Sequence, residues 1–312
     1  MENDPAKIAA LTAEAHHWAA RRGANPYDRG ARENLARVLF ELQRDRFALG
    51  TAERGEHLLS IIGDAFPIAP VRAAYLENLE RLLAEKPPRA SPGTVVLGLG
   101  SGRCGSTSLT ALVASIADSV ATHENPPLVY WEPLAEQRAF HFERLARLAE
   151  RFAIVFDASH WWLNLAEPFL ARFTDGKIVG LHRELEACAR SFLERKALGR
   201  GSINHWAPAG NGIWRHNIWD PLYPTYPLPA NAAVDPDGAK LEAIRRYVRE
   251  YNDALTRLAE RWPERVLLLR TEDLGDAAAQ HRLFGFLGVT GTPSATVLNA
   301  GTVADGAHQY WF

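Results

Sequence analysis

Thr94-Val95-Val96-Leu97-Gly98-Leu99-Gly100-Ser101-Gly102-Arg103-Cys104-Gly105-Ser106-Thr107-Ser108-Leu109 decides how the rest of the chain is read. An apolar run rich in β-branched residues, Thr94–Leu99, predicts a strand. A glycine-rich turn follows, and a helix is predicted over Thr107–Ala117. Glycines let a backbone approach a ligand closely. The first N–H groups of the following helix have no partner within it, so the turn has the makings of an anion cradle.

Outward from this turn the same alternation recurs. Further strands are predicted at Ala153–Asp157, Lys177–Leu181 and Arg265–Leu269. Helices are predicted at Leu134–Arg151, Trp161–Phe173, Leu185–Leu198, Ala239–Arg261 and Ala277–Leu287. Strand–helix alternation predicts an α/β fold: a parallel sheet with helices on both faces. Upstream, Leu35, Val38, Leu39 and Leu42, and then Val71, Tyr75, Leu79 and Leu82, recur at helical spacing. Lys86-Pro87-Pro88-Arg89-Ala90-Ser91-Pro92-Gly93 breaks the two regimes, giving a helical N-terminal domain over 1–90 and a second domain over 91–312. Residues 199–236 carry no regular pattern, and so long an irregular segment in a compact domain is usually functional.

Composition narrows the classes. The 312 residues carry 35 basic and 37 acidic side chains, a formal charge of −2. That leaves no global basic field for a dedicated nucleic-acid binder, although a local basic pocket for a phosphorylated ligand fits. Only Cys104 and Cys188 are present, which excludes a disulfide framework and a cysteine zinc site. No apolar stretch reaches the ~18 residues of a membrane helix, and the acidic N-terminus lacks a signal-peptide core. The expectation is a cytoplasmic protein that binds neither membrane nor nucleic acid.

Spacing separates the ligands that use such a turn. A dinucleotide fingerprint beginning at Gly98 needs glycine where Arg103 stands. An S-adenosylmethionine turn wants an acid at 98 and glycine at 104. A triphosphate loop matches from Gly100 to Gly105, but Ser106 replaces its lysine. What stands is a phosphate cradle of Gly102, Arg103, Cys104 and Gly105, with hydroxyls at Ser106, Thr107 and Ser108. A second cation, Arg183, ends the Lys177–Leu181 strand, and Ser191 follows it by eight residues, about two helical turns on. Together they could grip another phosphate.

These features resemble the sulfotransferase family. Its 5′-phosphosulfate loop has this strand–loop–helix plan with an arginine or lysine at the position of Arg103. An arginine and a serine eight apart, here Arg183 and Ser191, bind the 3′-phosphate of 3′-phosphoadenosine 5′-phosphosulfate (PAPS). The later run Val266–Leu269, the turn Glu272-Asp273-Leu274 and the helix end Phe286-Leu287-Gly288 are also similar, so the resemblance spans 94–289. It implies a P-loop-like sulfotransferase core and transfer of a sulfuryl group from PAPS to a hydroxyl, or an amine, of a small-molecule or carbohydrate acceptor. Adenosine 3′,5′-bisphosphate is then the product, and no metal is required. In members that modify heparan sugars or protein tyrosines, a catalytic glutamate stands at nearly the offset of Glu124, 19 residues after Gly105. His123, His160 and His205 compete with it as base, and Arg103 would balance charge on the leaving phosphate.

Two departures from the family pattern stand out. The usual lysine-threonine-proline is Asp157-Ala158-Ser159-His160, leaving His160 as a substitute cation or a structural histidine. The late turn 299–306 has glycines but no lysine. His123-Glu124 does not continue into a zinc-protease motif, because Pro127 takes the place of the second histidine. Trp206, Trp214, Trp219, Tyr223 and Tyr226 in the irregular segment would either stack an acceptor ring or pin that segment to the core. The competing classes are an S-adenosylmethionine-dependent methyltransferase and a non-catalytic nucleotide-binding module. The N-terminal helices leave acceptor recognition and homo-oligomer formation both open.

Overall fold

The computed structural model describes residues 86–124, 135–194 and 234–289 continuously, with 129, 131, 133, 207–208, 213–215, 225–227 and scattered positions between 6 and 84. The predicted helical segment 1–90, the late turn 299–306 and most of 199–236 therefore lie largely outside the described residues.

Five strands build the main sheet: β1 (Thr94–Leu99), β2 (Ser119–His123), β3 (Ile154–Ala158), β4 (Lys177–His182) and, after three short strands, β8 (Val266–Arg270). Their order is β2-β3-β1-β4-β8, and every neighbouring pair is parallel. β1 therefore lies between β3 and β4, and five of its six residues are buried. Successive side chains of a strand point to opposite faces, and β1 shows it. Val95, Leu97 and Leu99 enter one core, and Val96 enters the other.

Helices cover both faces, which is why a parallel sheet can be apolar on both sides. On one face lie α1 (Ser106–Ala114), through Leu109, Leu112 and Val113, and α6 (Ala277–Leu287), through Leu283, Phe284 and Leu287. The other face takes α2 (Ala135–Ala149), α3 (Ala166–Arg172), α4 (Leu185–Glu194) and the long α5 (Pro236–Arg261). Strands β5 (Ala207–Pro208), β6 (Ile213–Arg215) and β7 (Thr225–Pro227) form a separate antiparallel sheet. No helix among the described residues is long and apolar enough to cross a membrane.

Two elements differ from the sequence expectation. Ser119–His123 is a strand, although Ser-Val-Ala-Thr-His has no apolar run; it lies at the sheet edge, where only β3 pairs with it. The helix expected over Trp161–Phe173 is a 3₁₀ turn, His160–Leu165, followed by α3. Pro168 explains the break: a proline has no N–H and its ring crowds the carbonyl four residues back, so it suits only a first helical turn.

A buried polar hub joins four elements beneath the carboxyl ends of the strands. Asp157 of β3 accepts from Thr122 Oγ1 of β2 and from Trp162 Nε1 at 2.8 Å. Arg144 of α2 approaches it to 3.3 Å, both side chains being at most 1% exposed. Breaking a buried pair strands the surviving charge. Asp157→Asn is therefore expected to lower unfolding stability by about 3–5 kcal/mol, read as a fall in the urea midpoint. A loss below about 1 kcal/mol would remove the hub from the fold's supports.

Candidate active site

The chain leaving β1 heads for β2 on one side of the sheet, and that leaving β4 heads for β8 on the other. The crevice between the carboxyl ends of β1 and β4 is thus a topological switch point, where open α/β sheets bind ligands. The glycine-rich turn and Arg183 border it from its two sides.

The turn is held by its carbonyls. Ser101 O accepts from Tyr247 Oη of α5 at 3.0 Å, and Gly102 O from Cys188 Sγ of α4 at 3.4 Å. Arg103 O accepts from Arg183 Nη1 at 2.7 Å, and Cys104 O from Thr271 Oγ1 beyond β8. Four consecutive carbonyls are thereby tied to four different elements. A trans peptide sets its N–H opposite its carbonyl, so the N–H groups of this turn face away from those ties. Gly102 (φ 89°) and Gly105 (φ 82°) take left-handed backbone, which only glycine adopts without cost. Gly105 is also the N-cap of α1, and no side chain caps that helix.

The structure brings Arg103, Arg183 and Ser191 together across 80 to 88 residues of sequence. Besides the Arg183 bond to its carbonyl, Arg103 donates from Nε to Ser191 Oγ at 3.2 Å. Thr271 ties the two rims, reaching His182 O at 3.2 Å as well as Cys104 O. Ser106 is half-buried, Thr107 exposed and Ser108 buried at the start of α1. Cys104 turns its side chain into the core at 1% exposure, where burial pushes the thiol up to about 12. A thiol so disfavoured as thiolate packs rather than reacts.

Glu124, His123 and His160 gather at the ends of β2 and β3. Glu124 has a left-handed backbone (φ 49°), as does Arg103 (φ 53°), a strained state for a residue with a Cβ. Its N–H donates to Ala158 O at 2.7 Å, which holds it there. His160 Nδ1 lies 3.6 Å from Glu124 Oε1; the His160 side chain is 1% exposed and that of Glu124 29%. Ser106 Oγ and His123 Nε2 are 2.7 Å apart. Burial pushes the Glu124 carboxyl up, but the adjacent His160 imidazole and the charges of His123, His160 and Arg103 outweigh it and hold it at about 2. The carboxylate is therefore ionised throughout the physiological range.

Three positioning residues escaped the sequence reading. Tyr247 and Tyr251, one turn apart on α5, are both buried. Tyr247 holds the turn at Ser101 O, and Tyr251 Oη donates to His160 O at 2.8 Å. In sequence they pass for members of an apolar helix stripe; the one signal is two hydroxyls at i and i+4 on a core face. Thr271 is the third. In the irregular segment Trp214 lies on β6, and Tyr226 is buried in the core and donates to Glu250 Oε2 at 2.8 Å, which fits pinning rather than stacking. His205 lies outside the described residues. Among them no group of three or more His, Cys, Asp or Glu side chains is placed to hold a metal ion.

No protein-family model matches this chain, and no curated protein does. Among solved structures it is similar to a sulfotransferase from Alicyclobacillus acidocaldarius, with 16% identity and a TM-score of 0.41, over 68% of this chain and 88% of that one.

The Glu124 environment predicts an acid limb in stability. A carboxyl near 4.5 when unfolded and near 2 when folded stabilises the fold by about 3 kcal/mol above the unfolded value. That contribution drains away as pH falls through the interval toward the folded value. Urea titrations from neutral pH into this range should show the limb in the native chain and a flatter profile in Glu124→Gln. Parallel profiles would show that the carboxylate gains nothing from its neighbours.

Proposed function

We propose that this chain is a PAPS-dependent sulfotransferase acting on a hydroxyl, or an amine, of a small-molecule or carbohydrate acceptor. The observation that carries the reading is the convergence of Arg103, Arg183 and Ser191 on one crevice at the carboxyl edge of the sheet. Two guanidiniums and a hydroxyl beside a turn whose carbonyls are all tied back suit a ligand with two separated phosphate groups.

The residues present fit such a donor. Arg183 and Ser191 would hold the 3′-phosphate. Gly102, Arg103, Cys104 and Gly105 would cradle the 5′ end through their backbone, joined by Ser106, Thr107 and the N–H groups that open α1, with Ser108 beneath. When bound, the donor supplies an activated sulfuryl group. Arg103 would balance the charge that grows on the phosphate being released. Glu124 would accept the acceptor's proton at a carboxylate oxygen, with His160 holding that carboxylate in place.

The acidity of Glu124 has a consequence for this role. A carboxylate held near 2 is a weak base, and base catalysis is strongest when the pKa approaches the working pH. Part of the depression comes from Arg103. A phosphate paired with Arg103 would relieve that share, the smallest of the four that lower the carboxyl.

Adenosine 3′,5′-bisphosphate should raise the melting temperature by several degrees at a hundredfold excess over Kd, a linkage of about 2.7 kcal/mol, whereas 5′-AMP should not. Arg183→Ala is expected to weaken bisphosphate binding by about 2–4 kcal/mol; unchanged affinity would take Arg183 out of the site. Glu124→Gln should lower turnover with PAPS and a competent acceptor by ~10²–10⁴ while sparing bisphosphate binding. Undiminished turnover would pass the base to His123, His160 or His205, and stabilisation by S-adenosylmethionine alone would overturn the reading.

A further inference from the structure

The Ser106–His123 hydrogen bond carries a constraint that an anion-binding role for Ser106 must meet. Ser106 opens α1 at the position where triphosphate loops carry a lysine, and its Oγ lies 2.7 Å from His123 Nε2. A hydroxyl has one proton to give. If that proton is spent on a bare imidazole nitrogen, Ser106 offers only lone pairs to the crevice, and the oxygens of a phosphate or sulfuryl group are acceptors too. If Nε2 carries the proton instead, the ring donates to Ser106 Oγ and the hydroxyl proton is free to point at the anion.

We propose that His123 is a positioning residue that takes up a proton as an oxyanion enters the turn, donates from Nε2 to Ser106 Oγ, and so aims the Ser106 hydroxyl at the anion. No covalent bond changes; one proton moves from solvent to the imidazole, and an incoming dianion supplies the compensating charge. His123 acts electrostatically on Glu124, next in the chain, as do His160 from the turn after β3 and Arg103 from the glycine-rich turn. Arg103 opposes a second cation, as would a protonated His160. The Glu124 carboxylate favours one, and the entering anion tips the balance. This inference rests on the sulfotransferase reading for the identity of the anion, but not for the proton.

The test is calorimetric titration of adenosine 3′,5′-bisphosphate between about pH 6 and about pH 8.5, where imidazole changes charge, in buffers of different ionisation enthalpy. Inorganic sulfate, a dianion throughout this range, is the second probe, followed by melting temperature. Because the phosphates of the bisphosphate titrate near the same range, the diagnostic quantity is the difference between the native chain and His123→Gln. Gln keeps an N–H donor and cannot take up a proton. The native chain should bind both anions more weakly as pH rises, by up to about tenfold per pH unit, with a proton uptake that His123→Gln lacks. That difference should vanish in the Ser106→Ala background, which also keeps the test open if His123→Gln folds poorly.

Equal slopes and equal proton uptake in the native chain and His123→Gln would overturn the proposal, as would a His123-dependent slope that survives Ser106→Ala. If the bisphosphate fails to bind but sulfate stabilises the chain with the His123-dependent slope, the proton coupling stands and the PAPS reading falls. If neither anion binds at any pH, both fall.

Discussion

Four consecutive carbonyls, Ser101 to Cys104, accept from four different parts of the molecule, and the site depends on that arrangement. Tyr247 comes from α5, Cys188 from α4, Arg183 from the end of β4 and Thr271 from the end of β8. Each bond is worth only about 1 kcal/mol net, so the set contributes more to shape than to stability. It turns the peptide N–H groups of the turn the other way and holds Arg103 in a left-handed state that its side chain would otherwise resist. Because the donors come from α4, α5, β4 and β8, the turn can take this form only when both sides of the crevice are in register.

The same ties concentrate positive charge. Arg183 bonds to the carbonyl of Arg103 while Arg103 reaches Ser191, so two guanidiniums share one edge of the sheet. Like charges this close raise the energy of the empty site and lower that of one holding an anion. Acidic side chains near this rim are engaged with the backbone and with arginines: Glu184 accepts from Glu186 N and Ala187 N at the start of α4 and feels the charge of Arg183, and Glu272 accepts from Glu184 N and lies 3.6 Å from Arg270. They steady the helix without filling the crevice. Bound anionic charge relieves such an arrangement.

Much of this was legible in the residues. β1 and α6 fall on the predicted limits, Thr94–Leu99 and Ala277–Leu287, because a continuous buried strand and a well-bounded apolar helix carry their signal locally. That Arg183 and Ser191 belong to one strand–helix unit could be read from spacing, whereas the contact each makes with Arg103 could not. β2 could not, because an edge strand with one paired neighbour needs few apolar residues. Nor could Tyr247, Tyr251 and Thr271, whose importance lies in the carbonyls they meet, and those carbonyls lie 89 to 167 residues away in sequence. The inward turn of Cys104 was equally hidden: its place in a ligand turn says nothing of the face its side chain takes.

Geometry also divides labour among three of the four titratable groups that sequence left as rivals, His205 lying outside the described residues. His160 is 1% exposed and its backbone is held by Tyr251; a ring so enclosed can steady a neighbour but cannot meet an acceptor without the surroundings opening. His123 is committed to Ser106 on the side of the glycine-rich turn. Glu124 is the most open of the pair it forms with His160, at 29% exposure, and its strained backbone is pinned by Ala158 O to the end of β3. Strain of this kind persists only where the surroundings over-determine it. Here they direct a carboxylate ionised at neutral pH to the same edge of the sheet as the two arginines, so that Glu124 and the glycine-rich turn are set side by side by one run of β2, β3 and β1.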